Sequence, residues 1–168
     1  AIVLAWLPGQ EAGHAVADVL KGQVNPSGKL AVTFPERYTD LPSAANFPGQ
    51  VLIPKDPNNH DPLSGDQAAE IEYSDGVKVG YRYFDQAHGA VAYPFGYGLS
   101  YSQFTYGQPR VSMPKTGQSG VLDIDVDVRN SGAVAGKESV QIYLAAPKAA
   151  SNTPVKELRA FAKTKLLR

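Results

Sequence analysis

Apolar positions change period along this chain, and the changes divide it. Ala1 to Trp6 is a continuous apolar run, the pattern of a strand buried on both faces of a parallel sheet. Such a strand needs neighbours, so its sheet is expected to lie mostly upstream. Pro8-Gly9 then turns the chain into Glu11 to Leu20, where Ala12, Ala15, Val16, Val19 and Leu20 mark one helical face and Lys21-Gly22 supply a basic last turn and a C-terminal glycine. After the turn Asn25-Pro26-Ser27-Gly28, Leu30 to Phe34 reads as a short strand ended by Pro35. Residues 1–35 therefore read strand, helix, strand, the last unit of an open α/β layer.

The far end has the other period. From Val121 to Arg129 the apolar residues Leu122, Ile124, Val126 and Val128 alternate with Asp123, Asp125 and Asp127, as in an antiparallel strand with one wet face. Asn130-Ser131-Gly132 makes a turn. Val140, Ile142 and Leu144 repeat the alternation, and Val155 to Phe161 predicts a further strand. This spacing fits an immunoglobulin-like sandwich, which needs about seven strands, whereas Phe104 to Arg168 has room for about four. The expected fold class is α/β plus all-β, with the chain cut at both ends.

Between these bodies, Glu36 to Ala69 is rich in Pro, Asn, Asp, Ser and Gly and lacks a sustained period, which fits a strap across a neighbouring domain. Val77, Val79, Tyr81 and Tyr83 then alternate with polar residues and predict a strand. Nine of the sixteen aromatic residues fall between Tyr81 and Tyr106, mixed with glycine and proline. Such a mixture favours turns and short strands forming a seam between two packed bodies over direct sugar contact.

Composition narrows the function. The chain has 168 residues, 43% hydrophobic, with 16 basic against 16 acidic residues, so no net field would gather nucleic acid or an anionic membrane. No apolar run reaches the roughly 18 residues of a membrane span. The absence of cysteine excludes disulfides, thiolate zinc sites and cysteine nucleophiles.

Three motifs carry a family resemblance: LAWLPGQEAGHAVADVLKG (Leu4 to Gly22), NPSGKLAVTFP (Asn25 to Pro35) and VGYRYFDQAHGAVAYPFGYGLSYSQFTY (Val79 to Tyr106). In this order they resemble the C-terminal part of glycoside hydrolase family 3, the β-glucosidase and β-xylosidase group. The resemblance implies the end of an α/β sandwich over residues 1–35, a linking strap and aromatic seam over 36–103, and the start of a fibronectin type III-like domain over 104–168. It implies a retaining β-glycosidase, most simply a β-glucosidase acting on terminal non-reducing β-D-glucosyl residues, in a periplasmic or secreted setting. Its partners would be an upstream catalytic barrel, the rest of the α/β domain, and a β-glucoside or oligosaccharide substrate; a homodimer is allowed. The family's nucleophilic Asp lies in that barrel and its acid/base Glu upstream of Ala1, so no catalytic residue carries over. Nor does the resemblance imply a cofactor or metal. The competing class is a non-enzymatic carbohydrate-binding or adhesion module built on the sandwich.

Glu11 follows the end of a parallel strand, where α/β sheets bind ligands, but a first-turn Glu is ordinarily placed by the helix dipole. His14 and Asp18, four apart, read as a surface pair. Asp56, His60, Asp61 and Asp66 lack calcium-loop spacing and read as a solvated loop. Asp123, Asp125 and Asp127 read as a solvated strand face. Arg82, between Tyr81 and Tyr83 on the expected strand, would point away from both rings and anchor two bodies through a carboxylate.

Overall fold

Helix α1 (Ala12–Leu20) forms where the apolar spacing places it, with Ala12, Val16 and Val19 on its half-buried side. Gly22, at φ +73°, ends it: its N–H donates to Val19 O and that of Gln23 to Asp18 O, satisfying carbonyls the last turn leaves open. The computed structural model describes residues 2–51, 58, 69–87, 89–113, 120–147 and 153–168. Within them ten short strands follow, β1 (Phe34–Pro35), β2 (Gln50–Val51), β3 (Ala69–Glu70), β4 (Val91–Tyr93), β5 (Phe104–Tyr106), β6 (Arg110–Ser112), β7 (Asp123–Asp125), β8 (Val128–Asn130), β9 (Ser139–Leu144) and β10 (Glu157–Lys163), with helix α2 (Tyr81–Ala87) before β4.

The chain forms two compact units, each assembled from separated segments. The first joins Ala1–Lys29, Gly98–Ile142 and Ala160–Arg168; the second joins Leu30–Tyr97 and Tyr143–Arg159. In the first unit, β5 pairs with β8 and β6 with β7, both antiparallel. These four pieces are two bent strands. Between the paired stretches Gly107, Gln108 and Pro109 face only Val126 and Asp127, so the ladder slips by one residue, as at a β-bulge. The slip places Val111 opposite half-buried Ile124 and leaves Arg110 opposite exposed Asp125. Pro109 sits where a missing N–H costs the ladder nothing. With β9 and β10, which pair with each other, the described residues of Phe104 to Arg168 form four strands, two of them bent.

In the second unit, β1 pairs with β4 and β2 with β3, both antiparallel. Leu30 continues the first of these ladders, donating to Tyr97 O and accepting from Gly96 N at 2.8 Å each.

Three expected elements differ. Ile2 to Trp6 has no ladder partner among the described residues and stays exposed, because a strand exists only through its neighbours. Leu30 to Phe34 forms strand only at Phe34, with a bend at Ala31–Val32. The Val77 to Tyr83 strand is absent: from Tyr81 the chain is α2, with Phe84 N–H donating to Gly80 O at 3.2 Å. Tyr81 to Ala87 contains no glycine or proline and lies between Gly80 and Gly89, so a helix fits there, and it buries Phe84 to 6% exposure. Alternation over four apolar residues was too short to separate a period of 2 from one of 3.6.

Gly49 is fixed by its surroundings. Its φ is +99°, and a Cβ there would stand 2.5 Å from Glu70 O and 2.7 Å from Ile71 Cγ1. Gly49→Ala should therefore destabilise the second unit by about 2 kcal/mol or more, through left-handed backbone and backbone clash together. Thermal unfolding checks this: an unchanged midpoint would mean the loop relaxes freely.

Candidate functional site

The densest polar constellation is in the first unit, built on Asn25-Pro26-Ser27-Gly28-Lys29 just beyond α1. Asn25 Nδ2 donates to Ala135 O at 3.1 Å, while its Oδ1 accepts from Ser100 Oγ and from Tyr101 N–H, both at 2.8 Å. Tyr101 returns to α1, donating its hydroxyl to Val19 O at 2.7 Å. Two residues on, Ser27 O accepts from Ser139 Oγ and Ser27 Oγ from Lys163 Nζ, each at 3.2 Å. Gly98 and Gly136 allow this closeness: a Cβ on Gly98 would collide with Gly28 O, and one on Gly136 would lie 2.6 Å from Asn25 Nδ2.

Lys29 carries the charge. Its ammonium lies 3.3 Å from Glu138 Oε2 and donates to Gly98 O at 2.9 Å, with the two side chains only 16% and 11% exposed. Tyr106 donates its hydroxyl to Glu138 Oε1 at 2.8 Å. Both oxygens of this carboxylate are thus engaged. Partial burial, then the hydrogen bond from Tyr106 and the charge of Glu138, raise the Tyr106 phenol well above its ordinary range. Beside it, buried Asn130 accepts from Ser102 Oγ at 2.5 Å and Gly132 N–H at 3.0 Å, and donates to Val134 O at 2.8 Å and Leu167 O at 3.3 Å. Removing one partner from such a network leaves the others buried and unpaired.

The second unit is tied by rings and paired charges. Tyr81 lies 4.9 Å from Phe95 and meets Tyr143 edge-on at 5.8 Å, and its hydroxyl accepts from Leu158 N–H at 2.9 Å. Tyr93 lies 5.4 Å from Tyr97. Arg82 has the carboxylate partner expected of it, Glu157 at 3.1 Å, which also takes Arg159 at 2.7 Å. Its orientation differs from expectation. On a helix, consecutive residues are about 100° apart rather than opposed, so the guanidinium lies 5.8 Å from the Tyr81 ring centre. Lys156 pairs with Asp85 at 3.3 Å and stands 5.4 Å from the Tyr143 ring.

Other candidates fall elsewhere. Glu11 stands at the start of α1 and binds His14 Nδ1 at 2.7 Å, with both side chains largely exposed. His14 therefore turns back one helical turn to Glu11 rather than forward to Asp18. Asp123 and Asp125 stand exposed on either side of Ile124, and Asp127 pairs with Arg110 at 2.8 Å, which lowers its carboxyl below the usual range. Asp56, His60, Asp61 and Asp66 lie outside the described residues. Asn25, Lys29, Tyr106, Asn130 and Glu138 were not singled out from sequence. Their partners lie up to 110 residues away, and the only local signal was polar residues inside a glycine-rich turn motif.

Chemically, the constellation holds rather than reacts. Glu138 is the one carboxylate-bearing residue among the described residues that is buried, and it presents no free oxygen to a leaving group.

Comparison with known proteins decides the family. The model of the glycosyl hydrolase family 3 C-terminal domain matches residues 1–101, and that of the fibronectin type III-like domain matches residues 138–168. The chain belongs to glycosyl hydrolase family 3. Beta-glucosidase B of Emericella nidulans is 46% identical over 99% of this chain and 19% of its own length; a beta-glucosidase of Rhizobium radiobacter is 42% identical over similar shares. Among solved structures, beta-glucosidase 3B from Thermotoga neapolitana in complex with glucose shares 44% identity at a TM-score of 0.79, over 98% of this chain and 20% of that one. The family 3 segment described here thus spans about a fifth of the length of these relatives. Its fold is the expected one, the end of an α/β sandwich with part of a fibronectin type III-like sandwich.

Two measurements test the joint. Lys29→Met or Glu138→Leu alone should cost about 3 kcal/mol in urea unfolding, because each strands a buried charge. The double replacement should cost less than the two added together; strict additivity would show that the pair is uncoupled. The raised Tyr106 phenol predicts an alkaline loss. Below its ordinary value of 10.0 the phenol is neutral in both states; above it the unfolded chain ionises first, so stability falls as pH rises past about 10. Tyr106→Phe should flatten that fall, leaving the part due to Tyr143, whose phenol is raised chiefly by burial.

Proposed function

We propose that this chain is the C-terminal scaffold portion of a retaining β-glucosidase that removes terminal non-reducing β-D-glucosyl residues. One observation carries the reading: a segment that aligns over 99% of its own length with about a fifth of known beta-glucosidases has its one described buried carboxylate locked by a lysine and a tyrosine. Retaining hydrolysis needs two carboxyl groups about 5 Å apart, one as nucleophile and one as acid and then base. On this reading both belong to the four-fifths of the family length beyond this segment, in a barrel and the rest of the α/β domain. The present chain braces those parts. Its joint binds the Asn25–Lys29 turn to the fibronectin-like strands, and its N-terminal apolar run is an edge for a sheet.

The test uses a family-length polypeptide containing this chain, assayed with an aryl β-glucoside. Hydrolysis should release β-glucose first, seen by NMR before mutarotation. Glu11→Gln in that polypeptide should keep turnover within about threefold, since Glu11 serves only the helix start. The 168-residue chain alone should show no turnover. Turnover by the chain alone, abolished by Glu11→Gln, would move the acid/base role to Glu11 and overturn the scaffold assignment.

A further inference from the structure

An open cleft of about 270 Å³ lies in the second unit, between the turns around Tyr38 to Phe47 and the stretch Ile71 to Tyr73. Three rings border it, Tyr38, Phe47 and Tyr73, and they are 55%, 60% and 82% exposed. Single exposed aromatics need no explanation, but three around one cleft form an apolar surface that is costly to leave in water. Polar groups stand among them: Ser43, Asn46 and Glu72.

Both walls are fastened. Tyr38 opens a 3-10 turn closed by Asp40, whose carboxylate accepts from Arg37 N–H at 3.0 Å and pairs with the Arg37 guanidinium at 3.4 Å. Asn46 crosses to the other wall, donating to Glu72 O and to Ser74 Oγ, both at 3.0 Å. Further along the same two segments, Gln50 pairs with Glu70 in the β2–β3 ladder. The rings therefore stand on turns held from both sides, so a ligand would meet a surface already formed.

From this juxtaposition we propose that the Tyr38–Phe47–Tyr73 cleft is an accessory subsite for one neutral pyranose ring of a β-glucan or β-gluco-oligosaccharide. The volume admits one ring and not a folded segment of protein. A pyranose offers an apolar C–H face to the aromatic surfaces and a rim of hydroxyls that donate to a carboxylate or exchange hydrogen bonds with a tyrosine or serine hydroxyl. Among the described lining residues the one charged side chain is the Glu72 carboxylate, which disfavours phosphates and other anions. It is also a single carboxylate, so the cleft binds without hydrolysing. This inference rests on the reading of the chain as part of a β-glucosidase and adds a second point of contact for longer substrates.

The experiment uses the family-length polypeptide, in which aryl-glucoside turnover reports folding and the active site independently of the cleft. Migration in native gels containing soluble β-glucan, and saturation-transfer NMR with cellotetraose, read the cleft. Phe47→Ala and Tyr73→Ala should leave the KM and kcat for the aryl glucoside unchanged, while weakening glucan retardation about fivefold or more; Tyr73→Phe should keep retardation, since the ring remains. Sorbitol, an acyclic polyol, should give no transfer signal. Equal retardation of wild type and both alanine variants would overturn the subsite, as would rings shielded from solvent by another part of the polypeptide. Absence of aryl-glucoside turnover in the wild type would instead defeat the β-glucosidase reading itself.

Discussion

A lysine ammonium and a glutamate carboxylate, each nearly stripped of water, hold the first unit together. Isolated, either charge would be too costly to bury; together, with Tyr106 and the Gly98 carbonyl completing their hydrogen bonds, they become tolerable only in one geometry. That condition extends outward. Gly98 must be glycine for the backbone to reach Gly28, and Gly136 must be glycine for Asn25 to reach Ala135. These two glycines are thus explained by where a charged pair and an amide must meet.

This also separates the roles of the aromatic stretch. Its early rings, Tyr81, Phe95 and Tyr97, serve the second unit, by ring contacts and by the hydroxyl of Tyr81 on Leu158 N–H. Its later ones, Tyr101 and Tyr106, serve the first by donating hydroxyls to Val19 O and Glu138. Tyrosine suits both tasks because it brings apolar area and one polar tip to the same place.

Legibility in the sequence followed the range of the interaction. The α1 helix, its glycine stop and the alternating face of Ile124, Val126 and Val128 are local patterns, and they appear where the periods put them. Helix α2 was hidden because a brief apolar alternation fits two periods, and burial of Phe84 decided between them. The bulge at Gly107–Pro109 was hidden because its signal is a count of residues on two strands rather than a pattern on one. The joint was hidden for a stronger reason: Asn25 and Lys29 look like turn residues, and what makes them more is the arrival of Ser100, Ala135 and Glu138 from far along the chain.

The interleaving of segments sets a timetable for synthesis. Lys29 leaves the ribosome 109 residues ahead of Glu138, an interval of about ten seconds at ordinary elongation rates. Through that interval the turn and the helix before it lack the partners that hold them, and the first unit cannot close until Ala160–Arg168 has emerged. The nascent chain carries an exposed apolar face for the whole delay. The demand that this order of segments makes therefore falls on synthesis, before the finished fold has any stability to offer.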